Sequence, residues 1–149
     1  MRGWFRVVLW LSGAALAAAA EMPLSPAQRA VIAERMARLS PTRKQAAAEW
    51  PDAKKVAELI CAKPGSGVVM EAVKAADRVV LAPGRAGIQS LTLDGNTKLT
   101  GNGIVRVGPF WTPFTFECVL NPDKGTVRTF TFHRPSTPNG AATPGGETP

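Results

Sequence analysis

The chain has 149 residues and a basic composition, with 18 lysines and arginines against 11 acidic residues. This length allows one domain with a hydrophobic core plus short appendages, but not two such domains. One histidine, two cysteines and no tyrosine leave few ways to pair a nucleophile with a general base. The acidic residues are scattered singly along the chain. We therefore predict no catalytic set, no metal site and no cofactor.

The first 20 residues predict a secretory signal peptide. Arg2 and Arg6 make a basic start, and an apolar run over residues 7–20 ends in Ala18-Ala19-Ala20 before Glu21. The alternative is a membrane anchor, but a spanning helix needs about 20 apolar residues and this run is shorter. We expect cleavage, no membrane span afterwards, and a periplasmic or secreted location.

Removal of this segment leaves 16 basic and 11 acidic residues, a net charge of +5. A solvated basic surface is the plain interpretation, and an anionic envelope surface is the partner that such a charge would favour. No block of lysine and arginine interleaved with aromatic residues occurs in the chain. Nucleic acid is therefore not a predicted partner.

Helical signals come first along the chain. Ser25, Pro26 and Gln28 predict a capped helix from about Pro26 to Leu39. Ser40-Pro41 and Pro51-Asp52 each repeat a helix start, so two further helices are expected before Cys61.

A glycine-rich stretch, Lys63 to Gly67, predicts a turn that ends the third helix. Its order of glycine and lysine is not that of a phosphate-binding loop. Val68 to Ala76 then has the spacing of a short helix.

Strand signals fill the second half. The predicted strands are Arg78–Ala82, Ile88–Leu93 and Lys98–Val107, the last bent at Gly101-Asn102-Gly103. Asp94-Gly95-Asn96 has the composition of a hairpin turn.

The clearest local pattern is the stretch from Phe114 to His133. Alternating Phe114, Phe116, Cys118 and Leu120 predict a strand with one aromatic face, and Phe130 and Phe132 continue the pattern on a second strand. Asn121 to Gly125 supplies turn-forming residues between them. We expect an antiparallel hairpin, with His133 pointing away from the aromatic face.

The two cysteines, Cys61 and Cys118, are predicted to form a disulfide. Two cysteines in an exported chain pair more often than they remain free. Such a bond would contribute about 4 kcal/mol by restricting the unfolded chain. A nucleophilic cysteine is the alternative, but it would need a base, and His133 is the one histidine available.

Helices followed by strands predict an α+β fold, with N-terminal helices packed on one face of a largely antiparallel sheet of four to six strands, stapled by one disulfide. Residues 21–134 form the predicted domain. Residues 135–149, rich in proline and glycine, predict a disordered tail. The sequence does not indicate an oligomeric state.

Arg106, Phe110 and Trp111 form the candidate binding surface. They lie across a proline-bounded loop, Gly108 to Pro113. Arg106 could lie over an aromatic ring, and an exposed Trp111 could anchor a partner. The alternative is that Trp111 covers the edge of the sheet core.

From about Leu39 to His133 the chain resembles a family of secreted bacterial domains, the domain of unknown function numbered 930. The motifs that carry the resemblance are Leu39-Ser40-Pro41-Thr42-Arg43-Lys44-Gln45, Cys61 with Met70-Glu71-Ala72, Asp77-Arg78-Val79-Val80, Val105-Arg106 before Trp111, Phe116-Glu117-Cys118, and the strand Val127 to Phe132. The resemblance implies export and a structural cysteine pair. It implies no activity.

The leading hypothesis is an exported, non-enzymatic module that binds an envelope protein or an anionic envelope surface through its basic, aromatic-edged surface. One alternative is an envelope hydrolase in which acidic residues such as Glu71, Asp77 and Glu117 converge. Another is an accessory or inhibitor subunit of an exported enzyme.

Overall fold

The computed structural model describes residues 23–135. The predicted signal peptide and residues 136–149 of the predicted tail lie outside them. The elements are helices α1 (Pro26–Ala37), α2 (Pro41–Ala48), α3 (Asp52–Val56), a π-helical turn (Ala57–Cys61), α4 (Ala62–Ala72) and α5 (Gly84–Gln89), and strands β1 (Ala76–Leu81), β2 (Thr92–Asp94), β3 (Lys98–Val107), β4 (Phe110–Asn121) and β5 (Thr126–His133).

The predicted helix start at Ser25 is confirmed. The Ser25 hydroxyl accepts the N–H of Gln28, and the Gln28 side chain accepts the N–H of Ser25, which is a reciprocal capping box. Gln28 is fully buried, and its side-chain amide donates to the Asn96 carbonyl at 2.7 Å. The Ser25 hydroxyl donates to the Pro122 carbonyl at 2.5 Å. The cap of α1 therefore also ties this helix to two turns of the sheet.

The turn predicted at Lys63 to Gly67 is wrong, because the chain continues there as helix α4. Proline has no N–H to donate within a helix. Here Pro64 lies in the first turn of α4, three residues after the π-helical turn, in which the hydrogen-bond spacing is wider. Arg35 donates from Nη1 to the Leu59 carbonyl inside that turn. The helix predicted over Val68 to Ala76 is the end of α4, which stops at Ala72.

The five strands form one antiparallel, curled sheet with the order β1-β3-β4-β5, and β2 pairs with β3 on the same side as β1. β3 pairs with β4 along the whole length of β3, from Lys98 opposite Val119 to Val107 opposite Phe110. The hairpin of β4 and β5 closes through Asn121 to Gly125, with Gly125 at positive φ. The predicted α+β fold and the predicted aromatic hairpin are confirmed.

The strand predicted over Ile88 to Leu93 is wrong at its beginning. Ile88 and Gln89 belong to α5, and only Thr92–Asp94 is a strand. The Ser90 hydroxyl donates to the Gly87 carbonyl at 2.6 Å and accepts the N–H of Asn102 at 3.0 Å. These two bonds hold the end of α5 against β3. β1 and β2 thus share one side of β3, with α5 between them.

Alternate residues of β3 and β4 face the helices and form the core. Cross-strand partners share a face, so Gly101 lies opposite Phe116, and Gly103 opposite Phe114, on the buried side. A Cβ at Gly103 would lie 2.3 Å from the Phe114 ring. The phenyl rings therefore occupy the space that side chains on β3 would need.

The predicted disulfide is present and joins the π-helical turn to β4. Cys61 and Cys118 are both fully buried, 57 residues apart in sequence. Such a bond fits an oxidising, extracytoplasmic compartment.

Two glycines of α4 differ in their surroundings and should respond oppositely to alanine. A Cβ at Gly65 would lie 2.6 Å from the buried Phe130 ring, whereas a Cβ at Gly67 would meet nothing within 4 Å. We expect Gly65→Ala to destabilise the protein by about 1–2 kcal/mol through overpacking. We expect Gly67→Ala to stabilise it by up to about 1 kcal/mol, because alanine favours the helix. Urea unfolding measures both, and equal effects would contradict the close approach of α4 to β5.

Reduction of the disulfide should cost about 4 kcal/mol of unfolding free energy, because the bond closes a long loop in the unfolded chain. Intact mass after alkylation without reductant should show no label on the purified protein, and two labels after denaturation and reduction. Two labels before reduction would refute the bond. Urea unfolding of the reduced protein then measures its contribution to stability.

Candidate functional site

Among residues 23–135, the most exposed aromatic residues lie where β3 turns into β4. We call residues 107–111, Val107 to Trp111, the hairpin tip. Gly108 takes a positive φ in the two-residue turn. Phe110 is 73% exposed and Trp111 43% exposed. Since successive side chains of a strand point to opposite faces, these two rings project from opposite sides of the hairpin.

The loop predicted from Gly108 to Pro113 is wrong, because β4 already begins at Phe110. Proline is tolerated in this strand because β5 ends opposite Thr115, so Pro113 pairs with β3 alone. Trp111 and Arg106 thereby become cross-strand partners instead of residues joined across a loop.

Arg106 is held in place from two sides. Its guanidinium donates from Nε and Nη2 to the two carboxylate oxygens of Asp77, both at 2.8 Å. Its Cζ atom lies 5.5 Å from the centre of the Trp111 ring, which confirms that Arg106 lies over an aromatic ring. Arg78 is the strand partner of Arg106 on β1.

A β-bulge explains how Asp77 reaches Arg106. The register of β1 against β3 shifts between Ala76 and Arg78, so Asp77 is the extra residue of the bulge. The hydrogen bond from Arg106 lowers the pKa of Asp77 below its ordinary value of 3.8. The same hydrogen bond raises the pKa of Arg106. Because both groups are exposed, the ion pair adds little to the free energy of unfolding, and its main effect is to orient the Arg106 guanidinium.

Two of the acidic residues of the hydrolase alternative, Asp77 and Glu117, lie apart on the sheet. Asp77 is bound to Arg106 near one end of β3, whereas Glu117 lies opposite Thr100, six residues away along that strand. Six residues of a strand span about 20 Å. Glu71 is exposed near the end of α4. The structure therefore does not unite Asp77 with Glu117 in one cleft.

His133 is exposed at the end of β5, opposite Thr115. This position agrees with the predicted orientation away from the aromatic face. Within residues 23–135, no group of three or more His, Cys, Asp or Glu side chains could hold a metal ion.

No family model matches the chain, and no curated protein or solved structure matches it. In the part of the chain that the structure describes, none of the helices is both long and apolar enough to cross a bilayer.

The titration of Asp77 tests the pairing with Arg106. A carboxyl ¹³C NMR titration should give a midpoint below 3.8, because the guanidinium stabilises the charged form. A pKa lowered on folding means that the pair stabilises the fold above the unfolded value and that this contribution is lost as the pH falls through the folded value. Arg106→Gln should raise the midpoint toward 3.8.

Arg78→Gln is the matched control for this titration. Arg78 acts on Asp77 only through space and is the smallest of the causes that lower its pKa. The control should shift the midpoint less than Arg106→Gln does. A native midpoint at or above 3.8, or equal shifts in the two variants, would contradict the bidentate pair.

Proposed function

We propose that the protein is an exported, non-enzymatic binding module of the bacterial envelope, periplasmic or secreted, which docks on an anionic lipid surface through the hairpin tip. The observation that carries this proposal is the exposure of two successive aromatic residues, Phe110 and Trp111, beside an uncharged turn. Rings of this kind prefer the boundary between water and the acyl region, where part of each ring leaves water.

The composition of the hairpin tip supports insertion of its end. Val107, Gly108, Pro109, Phe110 and Trp111 carry no charge, and the rings point to opposite sides of the hairpin. Burial of one such aromatic side chain is favourable by about 1.5–3 kcal/mol. The β3–β4 pairing behind the tip presents both rings without the loss of entropy that a flexible loop would suffer on binding.

Basic residues stand behind the aromatic rings. Arg106 is fixed against Trp111 by Asp77, and its partner Arg78 makes no ion pair within residues 23–135. Lys74 lies just before the start of β1, whose first residue, Ala76, faces Val107. Positive charges just behind the hairpin tip would attract the phosphates of an anionic lipid surface.

Export of the module is supported by the N-terminal signal pattern and by the buried disulfide. Membership in the secreted family numbered 930 is part of the same proposal and stands on the motifs around Cys61, Arg106 and Cys118. The accessory-subunit alternative would use the same hairpin tip on a protein partner, and the experiment below distinguishes the two.

Vesicle binding by the exported, oxidised protein tests the proposal. In a Trp50→Phe background, Trp111 is the one tryptophan after residue 20. With vesicles containing phosphatidylglycerol, its emission should shift to the blue and its quenching by iodide should fall. Binding should weaken as salt rises from low to physiological concentration, because exposed charges are then screened. Phe110→Ser should weaken binding by about tenfold, since one aromatic anchor is lost.

Val68→Ser is the control variant. Val68 is an exposed apolar residue of α4, 38% accessible, and lies outside the hairpin tip. It should bind vesicles as the parent does. Equal losses in the two variants would refute docking through the tip. Absence of binding to anionic vesicles, together with crosslinking of residue 110 to one protein in the cell, would replace the lipid surface with a protein partner.

A further inference from the structure

A groove of about 460 Å³ crosses the outer face of the sheet, on the side away from the core. Its floor includes Ile104 of β3 and Pro113 of β4, which are cross-strand partners. Ala86 of α5 forms one wall, and His133 and Arg134 at the end of β5 form the other. Pockets that hold small molecules begin at about 300 Å³.

The shape of the groove follows from two local features. Helix α5 lies between β1 and β2 on one side of β3, so it raises a wall beside the sheet. β5 ends at His133, and the chain then continues along the opposite wall through Arg134 and Pro135.

The lining of the groove is mostly apolar and includes a few polar side chains. Ala86, Ile104 and Pro113 offer carbon surface. Asn102 and Thr115 are cross-strand partners that also line the groove and can donate hydrogen bonds. Arg134 is the one fully charged side chain of the lining. Such a site suits a ligand with an apolar body and one polar end.

The electrostatics of this sheet face favour a negative ligand. Its acidic residues already face cations, since Glu117 lies 3.9 Å from Lys98 and Asp77 is bound to Arg106. Arg134 makes no ion pair within residues 23–135. This guanidinium at the wall of an apolar groove is complementary to a single carboxylate, which it can bind through two parallel hydrogen bonds.

We propose that this groove binds an amphiphilic monoanion, a fatty-acid carboxylate. Its acyl chain lies along Ala86, Ile104 and Pro113. Its carboxylate accepts hydrogen bonds from the guanidinium of Arg134 and from Asn102 or Thr115. This inference does not rest on the hairpin tip, because neither Phe110 nor Trp111 lines the groove.

Titration with dodecanoate below its micelle concentration, followed by calorimetry on the exported and oxidised protein, tests the inference. We expect one dodecanoate per chain. Acetate, which has the carboxylate alone, should bind at least about a hundredfold more weakly, since burial of the acyl chain supplies most of the affinity. Arg134→Gln should weaken dodecanoate binding by about tenfold through loss of the charge-assisted bonds. Ala86→Glu should weaken it at least as much, because it places a negative charge on the apolar wall.

Lys124→Gln is the control for charge, because Lys124 lies in the turn between β4 and β5 and not in the groove. It should bind dodecanoate as the parent does, and unchanged thermal unfolding shows that each variant is folded. Equal affinity in Arg134→Gln and Lys124→Gln, or no binding by the parent, would overturn the proposal. Binding that appears only after removal of residues 136–149 would assign the groove to the chain's own C-terminal segment and would overturn it too.

Discussion

The register between β3 and β4 is the constraint on which the rest of the structure depends. Ten consecutive pairs place Gly101 and Gly103 beside Phe116 and Phe114 on the buried face. The same register places Arg106 beside Trp111 on the other face. Because the side-chain period is two, a slip of one residue would exchange the two faces along the whole hairpin. Core packing and the exposed surface therefore have one common cause.

The helices are joined to this hairpin by close contacts at a few points. Gly65 lets α4 approach the Phe130 ring, and Cys61 in the π-helical turn is bonded to Cys118 of β4. The wider spacing of that turn lets the helix pass Pro64 and continue to Gly65. A helix that ended at Lys63 would remove the contact between Gly65 and the Phe130 ring.

The Trp111 side of the hairpin tip and the groove lie on neighbouring parts of one sheet face. Arg106 and Trp111 form one cross-strand pair, and Ile104 and Pro113 form the next pair of that face. About 7 Å of strand separates them. Docking of the tip on a lipid surface would thus bring the groove close to a source of acyl chains. The two proposals nevertheless depend on different side chains and can fail separately.

The sequence by itself determined the elements whose signals are local. Four features follow from neighbouring residues or from composition, and the structure contains all of them. They are the capping box at Ser25, the alternation from Phe114 to Leu120, the turn at Gly125 and the pairing of the only two cysteines.

Only the tertiary structure decided the elements whose local sequence signals conflict with their observed structure. Pro64 and Gly65 indicate a turn by propensity, but packing against Phe130 keeps them helical. The pair of Asp77 with Arg106, 29 residues apart in sequence, arises from a bulge in the register between β1 and β3. The groove arises from the position of α5 beside β3. Local sequence patterns do not predict such contacts between distant residues. The contacts are set by the register in which the strands pair and not by the conformational preference of any single residue.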